Sequence, residues 1–297
     1  MSEKSLKMNY DMFLGCVIAA RLPFLEVSAR KICNKFGIEL NEVEGFSCCP
    51  DPTGIELISR KAWAALGARN LALSNANDGI VSLCAGCVNT LKSVNYDINK
   101  RYGKREINKI LAKIGKTYDG STKITHLAQI LYEQLKQVKN LVTKPLKGFK
   151  IAVHYGCHYL RPSKIIKGEN PLKPVSLDKI NEALGAESIP YENKMDCCGY
   201  AIRKADNKLS TLIVKQKLDN IQKSEANCIV VACPACFQQY DFNQRDINKI
   251  EGTDFKYPTF YFSELIALAF GFSYDEIGLK YHHTKVKPFL RSIKFIE

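Results

Sequence analysis

The sequence predicts an α/β protein made of two duplicated domains, each a small parallel sheet flanked by helices, with the two related by pseudo-two-fold symmetry. Three observations lead to this fold class. Cysteines recur in two sets of nearly identical spacing, short apolar runs end at a cysteine, and amphipathic segments of helical length separate those runs. Strands and helices that alternate in this way are typical of βαβ units, whose strands are parallel.

The spacing of the cysteines indicates the duplication. Ten of the 12 cysteines read C-x31-CC-x34-C-x2-C in the first half and C-x39-CC-x34-C-x2-C in the second. Four of the five positions repeat at an offset of 149 residues, as from Cys49 to Cys198. Adjacent cysteines rarely bond to each other, because the disulfide geometry is poor. The first cysteine set is Cys16, Cys48, Cys49, Cys84 and Cys87, and the second cysteine set is Cys157, Cys197, Cys198, Cys233 and Cys236.

The apolar runs in front of the cysteines predict the strands. They are "YDMFLG" before Cys16, "DGIVSL" before Cys84, "FKIAVHYG" before Cys157 and "NCIVVA" before Cys233. Buried parallel strands read as continuous runs of this kind. The segments "GIELISRKAWAALGARNLALSNA" and "KLSTLIVKQKLDNIQKSEA" between them predict helices. Cysteines at the ends of parallel strands converge on the carboxyl edge of each sheet, where open α/β folds place their sites.

A change in composition marks the boundary between the two domains. The stretch "LVTKPLKGFK", residues 141–150, carries Pro, Gly and Lys and is the best candidate for a linker. It divides the chain into an N-terminal domain of residues 9–147 and a C-terminal domain of residues 148–297. With 46% hydrophobic and 25% charged residues the chain is globular, and each half can bury its own core.

Charge and hydropathy limit the classes of partner. The formal net charge of +13 indicates an anionic partner or a merely solvated basic surface, and the basic residues form no dense run. We expect an anionic small-molecule substrate and no nucleic acid. The longest apolar run near the N-terminus, Met12 to Ala20, predicts a buried first strand and its turn. It is far shorter than the ~20 residues that span a bilayer, so we expect a cytoplasmic chain without a membrane span.

The cysteine pattern favours metal or redox chemistry over structural disulfides in an intracellular chain. Zinc takes four ligands, so a fifth thiol has no structural use. A cubane iron–sulfur cluster also takes four, usually with a C-x2-C-x2-C run, and this chain contains no such run. Five thiolates with an adjacent pair fit an iron–sulfur cluster of less regular shape, in which one cysteine can bridge two irons. Zinc remains an alternative for the first cysteine set, where four of the thiols suffice.

Local motifs add a resemblance to a known family. The two repeated cysteine units, with "DCCG" at Asp196 to Gly199, resemble the CCG domain. With "VHYGCHYLRPS" at 153–163, "CPACFQQYD" at 233–241 and "SELIALAFG" at 263–271, the chain resembles the B subunits of CoB–CoM heterodisulfide reductases over residues 9–287. One departure is Pro50, which stands in the first unit where the second has Gly199.

The resemblance implies a cofactor, a reaction and partners. In that family each CCG unit binds a noncubane 4Fe–4S cluster through five cysteines, so both cysteine sets are implied as cluster ligands. The mixed disulfide CoM-S-S-CoB is reduced between the two clusters to two thiols, a step of methanogenic energy metabolism. The implied electron donors are a ferredoxin-like iron–sulfur subunit and a flavin subunit, with a hydrogenase or formate dehydrogenase module behind them.

Two histidines are candidate proton donors. His154 and His158 flank the first cysteine of the second set and can protonate a thiolate product, although a purely structural role is an alternative. Arg161 and Lys164 follow closely, where they can meet an anionic substrate or simply face solvent.

Two other functions fit the same residues. The chain resembles in its cysteines the CCG subunits of lactate, glycolate, succinate or thiol:fumarate oxidoreductases, and a non-enzymatic zinc scaffold also uses thiols. Cys33 and Cys228 lie outside both cysteine sets, and we expect them to be small buried hydrophobic residues.

Overall fold

The computed structural model describes residues 8–51 and 53–297 and contains two four-stranded parallel sheets. The strands are β1 Met8–Phe13, β2 Ile38–Asn41, β3 Ile80–Ser82, β4 Ile124–His126, β5 Lys150–His154, β6 Glu187–Ser188, β7 Cys228–Val231 and β8 Thr259–Tyr261. The first sheet has the order β2-β1-β3-β4 and the second has the order β6-β5-β7-β8. Every pair of neighbouring strands is parallel. The same strand order in both sheets confirms the predicted duplicated α/β class.

Helices connect the strands and flank both sheets. They are α1 Gly15–Arg21, α2 Pro23–Phe36, α3 Ile55–Ile58, α4 Arg60–Leu71, α5 Ala85–Asp97, α6 Lys104–Leu111, α7 Leu127–Glu133, α8 Leu135–Asn140, α9 Cys157–Leu160, α10 Ser163–Ile166, α11 Ser176–Ala183, α12 Asn207–Gln222, α13 Pro234–Glu251, α14 Phe262–Ala269 and α15 Val286–Ser292. A π-helical turn covers Ile98–Tyr102, and 3-10 turns cover Ala112–Ile114, Tyr200–Ile202 and Leu279–Tyr281. None of the described helices is both long and apolar enough to cross a membrane.

The last strand of each sheet turns directly into a helix. The backbone N–H of His126, at the end of β4, donates to Gln129 Oε1 over 3.5 Å at the start of α7. In the second sheet the N–H of Tyr261 donates to Glu264 Oε2 over 2.8 Å at the start of α14. Such capping satisfies backbone donors that a helix leaves unpaired in its first turn. The chain can therefore pass from strand to helix without a connecting loop.

Equivalent helices of the two halves pack on each other across the interface between them. Helix α14 of the second half packs on α2 of the first, where Ser28 Oγ and Ser263 Oγ lie 2.7 Å apart. Helix α7 of the first half packs on α11 of the second. In the same way α5 packs on α9, and α13 packs on α1. These reciprocal contacts are those of a pseudo-two-fold axis between the halves.

The axis runs beside the carboxyl ends of the central strands. His126 Nε2 lies 2.7 Å from the carbonyl oxygen of Leu83 and 3.0 Å from that of Ala232. The hydroxyl of Tyr261 also donates to the Leu83 carbonyl. Leu83 and Ala232 follow β3 and β7, so the carboxyl edges of the two sheets face each other.

One local prediction needs correction. The apolar run from Met12 to Ala20 is not one strand and its turn, because the strand ends at Phe13 and helix α1 begins at Gly15. Gly15 adopts a φ of +67°, which reverses the chain sharply, and of the apolar residues in the helix Ile18 alone is buried. The segment 141–150, predicted as the linker, is exposed or half-buried except for Leu146 and Phe149, which are fully buried, and β5 begins at Lys150.

Candidate metal centre

The two cysteine sets lie at the facing carboxyl edges of the sheets. Each set draws its members from the same four places: the helix after the first strand, the loop after the second strand, the residue that precedes the helix after the third strand, and the first turn of that helix. These places hold, in order, Cys16 and Cys157, Cys48–Cys49 and Cys197–Cys198, Cys84 and Cys233, and Cys87 and Cys236. The structure thus brings all ten predicted residues to one region.

Within each set the thiols contact one another in the same order. In the first set the series is Cys16, Cys48, Cys49, Cys87, Cys84, and in the second set it is Cys157, Cys197, Cys198, Cys236, Cys233. The sulfur–sulfur distances are 3.9 Å from Cys16 to Cys48 and 3.8 Å from Cys157 to Cys197. Another is 3.3 Å, from Cys198 to Cys236. Each set is therefore complete in space as well as in sequence.

The two sets meet at their last members. The thiols of Cys84 and Cys233 are in hydrogen-bonding contact with each other. Close by, the N–H of Ala85 donates to the carbonyl of Ala232 over 3.4 Å. The ten thiols therefore form one continuous series that crosses the interface between the halves.

Glycines allow the backbone to lie against the sulfurs. A Cβ on Gly15 would lie 2.6 Å from Cys87 Sγ, and one on Gly156 would lie 3.3 Å from Cys236 Sγ. Both glycines have positive φ, +67° and +76°. The same bare backbone occurs beside the equivalent sulfur of each set, and it allows the chain to approach that sulfur closely. Five soft sulfur donors in one place suit iron or zinc.

Contacts between the thiols shift the pKa values of cysteines in the adjacent pairs. The Cys48 thiol donates to Cys49 and lowers the pKa of Cys49, and the Cys157 thiol donates to Cys197 and lowers the pKa of Cys197. Burial, in contrast, raises the pKa of Cys33 to about 12. The thiols of the two sets share protons with their neighbours, and binding of a metal by the thiolates would release those protons.

The two candidate histidines occupy different surroundings. His154 is buried, its Nδ1 lies 3.3 Å from the Tyr240 hydroxyl, and its Nε2 has no hydrogen-bond partner among the described residues. One of its ring nitrogens and the sulfurs of Cys198 and Cys236 lie within 4.8 Å of one another. Burial lowers the pKa of His154 well below its usual value, so the ring is neutral at pH 7. His158 is half-buried at the interface, where the Asn89 side-chain amide donates to its backbone carbonyl over 3.1 Å.

Buried side chains that the sequence analysis missed hold the loops of the adjacent pairs. The Lys217 ammonium, on α12, donates to three carbonyl oxygens of residues 193–196 at 2.7, 3.1 and 2.9 Å. In the first half the side-chain amide of Asn70, on α4, donates to the Cys48 carbonyl over 3.0 Å and accepts from the Ser47 N–H over 3.1 Å. Their only signal in the sequence is their place on the predicted helix between the second and third strands.

Two other predicted residues lie at the protein surface. Arg161 and Lys164 are exposed after α9, as solvated side chains are. A cavity of about 680 Å³ opens at the amino edge of the second sheet, opposite the cysteines, beside Asn227, Arg245 and His283. The thiol region is therefore distinct from this cavity.

Comparisons with known proteins identify the family. A model of the cysteine-rich domain CCG matches residues 10–92 and 151–241. The B subunit of ferredoxin:CoB-CoM heterodisulfide reductase from Methanosarcina mazei is 34% identical over 95% of this chain and 96% of its own. A protein from Archaeoglobus profundus, described as similar to the heterodisulfide reductase B subunit, is 36% identical over 91% and 93%. The 8-methylmenaquinol:fumarate reductase membrane anchor subunit from Wolinella succinogenes is 33% identical over 93% and 97%.

A solved structure supports the fold. The crystal structure of a hypothetical protein from Helicobacter pylori matches with a TM-score of 0.75 at 16% identity, over 94% of this chain and 52% of that one. Identity at this level is informative about architecture alone. Taken with the paired cysteine sets and the family match in both halves, the comparisons show that the chain belongs to the family of heterodisulfide reductase B subunits and carries two cysteine-rich CCG domains.

Proposed function

We propose that this chain is the catalytic iron–sulfur subunit of a CoB–CoM heterodisulfide reductase and reduces CoM-S-S-CoB to its two thiols. The observation that carries the proposal is the continuous series of ten thiols across the interface of the two halves. Identity of 34% to the B subunit of a named heterodisulfide reductase over nearly the full length supports it. The proposed domains are residues 9–147 and 148–297, one for each cysteine set.

The proposed cofactors are two noncubane 4Fe–4S clusters, one on each cysteine set. A four-ligand zinc or cubane site leaves one thiol of each five unused, whereas all five thiols of each set lie in contact. When bound, the clusters supply single electrons, and two of them supply the pair that a disulfide needs. Zinc on the first cysteine set is the alternative occupant.

The residues of this chain position the reaction. Reduction breaks one S–S bond, consumes two electrons and two protons, and gives two thiols. The contact between Cys84 and Cys233 supports two electron sources on either side of one interface. We propose His158 and His154 as the groups that serve the product thiolates: His158, half-buried at the interface, as proton donor, and His154, a neutral ring beside the second set, as donor of a hydrogen bond.

The proposed partners deliver the electrons from outside this chain. They are a ferredoxin-like iron–sulfur subunit and a flavin subunit, with a hydrogenase or formate dehydrogenase module behind them, all in the cytoplasm. The formal charge of +13 suits an anionic disulfide. No C-x2-C-x2-C run is present for a conventional relay cluster, so we expect the isolated chain to turn over slowly with reduced ferredoxin alone.

A second candidate function has its own support. The relative from W. succinogenes, whose name describes a fumarate reductase subunit, is 33% identical over 93% of this chain. On this alternative the clusters pass electrons between a membrane donor and a partner protein, and this chain reduces no disulfide itself.

Purification without oxygen decides between these functions. The proposal expects about eight iron atoms per chain and reduction of CoM-S-S-CoB with reduced benzyl viologen as donor. Protein that holds iron and lacks this activity would favour the electron-transfer role, and zinc without iron would favour the scaffold.

A further inference from the structure

We infer that Lys217 is a positioning residue whose buried positive charge raises the reduction potential of the cluster on the second cysteine set alone. The inference rests on the clusters proposed above and adds that their reduction potentials differ. It starts from the two loops that carry the adjacent cysteines, because the halves hold these loops with chemically different side chains.

The charge of Lys217 lies inside the protein. Its side chain is 2% exposed, and its ammonium donates to the carbonyls of Asn193, Lys194 and Asp196, immediately before the second adjacent pair. Burial lowers the pKa of Lys217 to about 8, so it remains largely protonated at pH 7. Three donor hydrogens and three carbonyl acceptors satisfy the ammonium, which explains how a lysine is tolerated there.

This charge acts on the second set. The Coulomb interaction of Lys217 is strongest with the exposed Asp196 carboxylate and also reaches the thiols of Cys236, Cys198 and Cys197. An interaction of this kind is stronger in the low-dielectric interior than at the surface. Each electron that a cluster accepts adds negative charge, and a fixed cation nearby stabilises that state. Nearby charge is one of the factors that set the potential of an iron–sulfur cluster.

The first set has no buried ammonium among the corresponding described contacts. Its loop is held by the neutral amide of Asn70 and by Arg69, whose guanidinium is partly exposed and donates to the Gly45 carbonyl over 2.5 Å. Solvent screens a partly exposed cation. Each loop also has exposed carboxylates, Glu42, Glu44 and Asp51 in the first and Glu192 and Asp196 in the second, and solvent screens their charges at both sites.

The variant Lys217→Gln separates charge from hydrogen bonding, because a glutamine amide still donates to the loop carbonyls. Lys217→Arg keeps the charge. Lys223→Gln is the matched control, since Lys223 is an exposed residue at the end of the same helix and its loss changes the net charge equally. The measurement is a redox titration of anaerobically purified protein followed by electron paramagnetic resonance, together with iron content per chain.

We expect Lys217→Gln to lower the midpoint potential of one of the two clusters by ~59 mV. This shift corresponds to a tenfold change in a one-electron redox equilibrium. The other midpoint is the internal reference, and Lys217→Arg and Lys223→Gln keep both. If Lys217→Gln loses iron while Lys217→Arg keeps it at the parent midpoints, the charge is needed at the site and the inference stands. Unchanged midpoints in Lys217→Gln, or iron loss in both variants, overturn it. Absence of iron from the parent protein would instead overturn the proposed function.

Discussion

Replacement of Gly15 by alanine tests whether bare backbone beside the sulfurs is required. The new Cβ would lie 2.6 Å from Cys87 Sγ, closer than the 3.0 Å that real Cβ contacts respect, so the sulfur must move by several tenths of an ångström. At the equivalent Gly156 the distance to Cys236 Sγ is 3.3 Å, and a much smaller shift suffices. Alanine at Gly15 should therefore disturb its cysteine set more than alanine at Gly156.

The left-handed backbone conformation at Gly15 adds a separate free-energy cost for alanine, which a control variant can measure. A residue with a Cβ in the left-handed region costs roughly 1–2 kcal/mol. Gly115 has the same φ as Gly15, +67°, with nothing within 4 Å of its added Cβ. Gly115→Ala thus measures the backbone cost alone, and about 2–4 °C of melting temperature is lost per kcal/mol in a domain of ordinary size.

The assay is thermal unfolding and iron content of three anaerobically purified variants. We expect Gly115→Ala to melt a few degrees below the parent with its full iron content. Gly15→Ala should melt lower still and keep about half of the iron, because one of two clusters loses a ligand. Gly156→Ala should fall between them. If Gly15→Ala matches Gly115→Ala in both measurements, the close approach to Cys87 has no role in the metal centre.

Three further changes test other parts of the structure. Cys197→Ser should reduce iron content and benzyl-viologen-driven disulfide reduction, whereas Cys33→Ser should keep both; normal iron in Cys197→Ser would refute five-thiol ligation. His126→Ala removes the one donor that two buried carbonyls share, while Tyr261 and the Ala85 N–H still donate to them, and it should cost roughly 0.5–1.5 kcal/mol in a denaturant titration; no change would show that the bridge is dispensable. Burial opposes protonation of His282 but Glu264 raises its pKa overall, so this pair stabilises the fold below pH 6.5 and the contribution is lost as pH rises through the raised pKa. His282→Gln should therefore flatten the stability curve above pH 6.5, and an unaltered curve would contradict this.

Much of the architecture follows from the cysteine spacing. The repeat predicted two equal α/β units, and the apolar runs placed the cysteines at strand ends, because a buried parallel strand has little choice but to be apolar throughout. The helix at Gly15 was missed, since a short apolar run has no periodicity that separates strand from helix. The predicted helix before the third strand is broken at Ser59, whose hydroxyl accepts the Ala62 N–H over 3.3 Å and starts α4.

The side chains that join the halves were beyond reach of the sequence. His126 and Tyr261 occupy equivalent strand ends and reach the same carbonyl, yet one is an imidazole and the other a phenol. Lys217 and Asn70 likewise hold equivalent loops with different groups. A repeat in sequence is recognised by similar residue types, whereas these residues share only an equivalent position and similar backbone partners in the fold. Their partners lie in distant parts of the chain, so only the folded structure reveals them.

The reciprocal packing of equivalent helices across the interface has a consequence for the ancestry of the chain. An interface in which each half offers the same patch to the other is isologous, the form found in symmetric homodimers. A single-unit precursor could have formed this interface between two separate copies, with two identical cysteine edges facing each other. After a fusion the two copies could diverge in sequence. Pro50, at the position equivalent to Gly199, is one such difference. Single-unit relatives of this fold should accordingly associate in pairs.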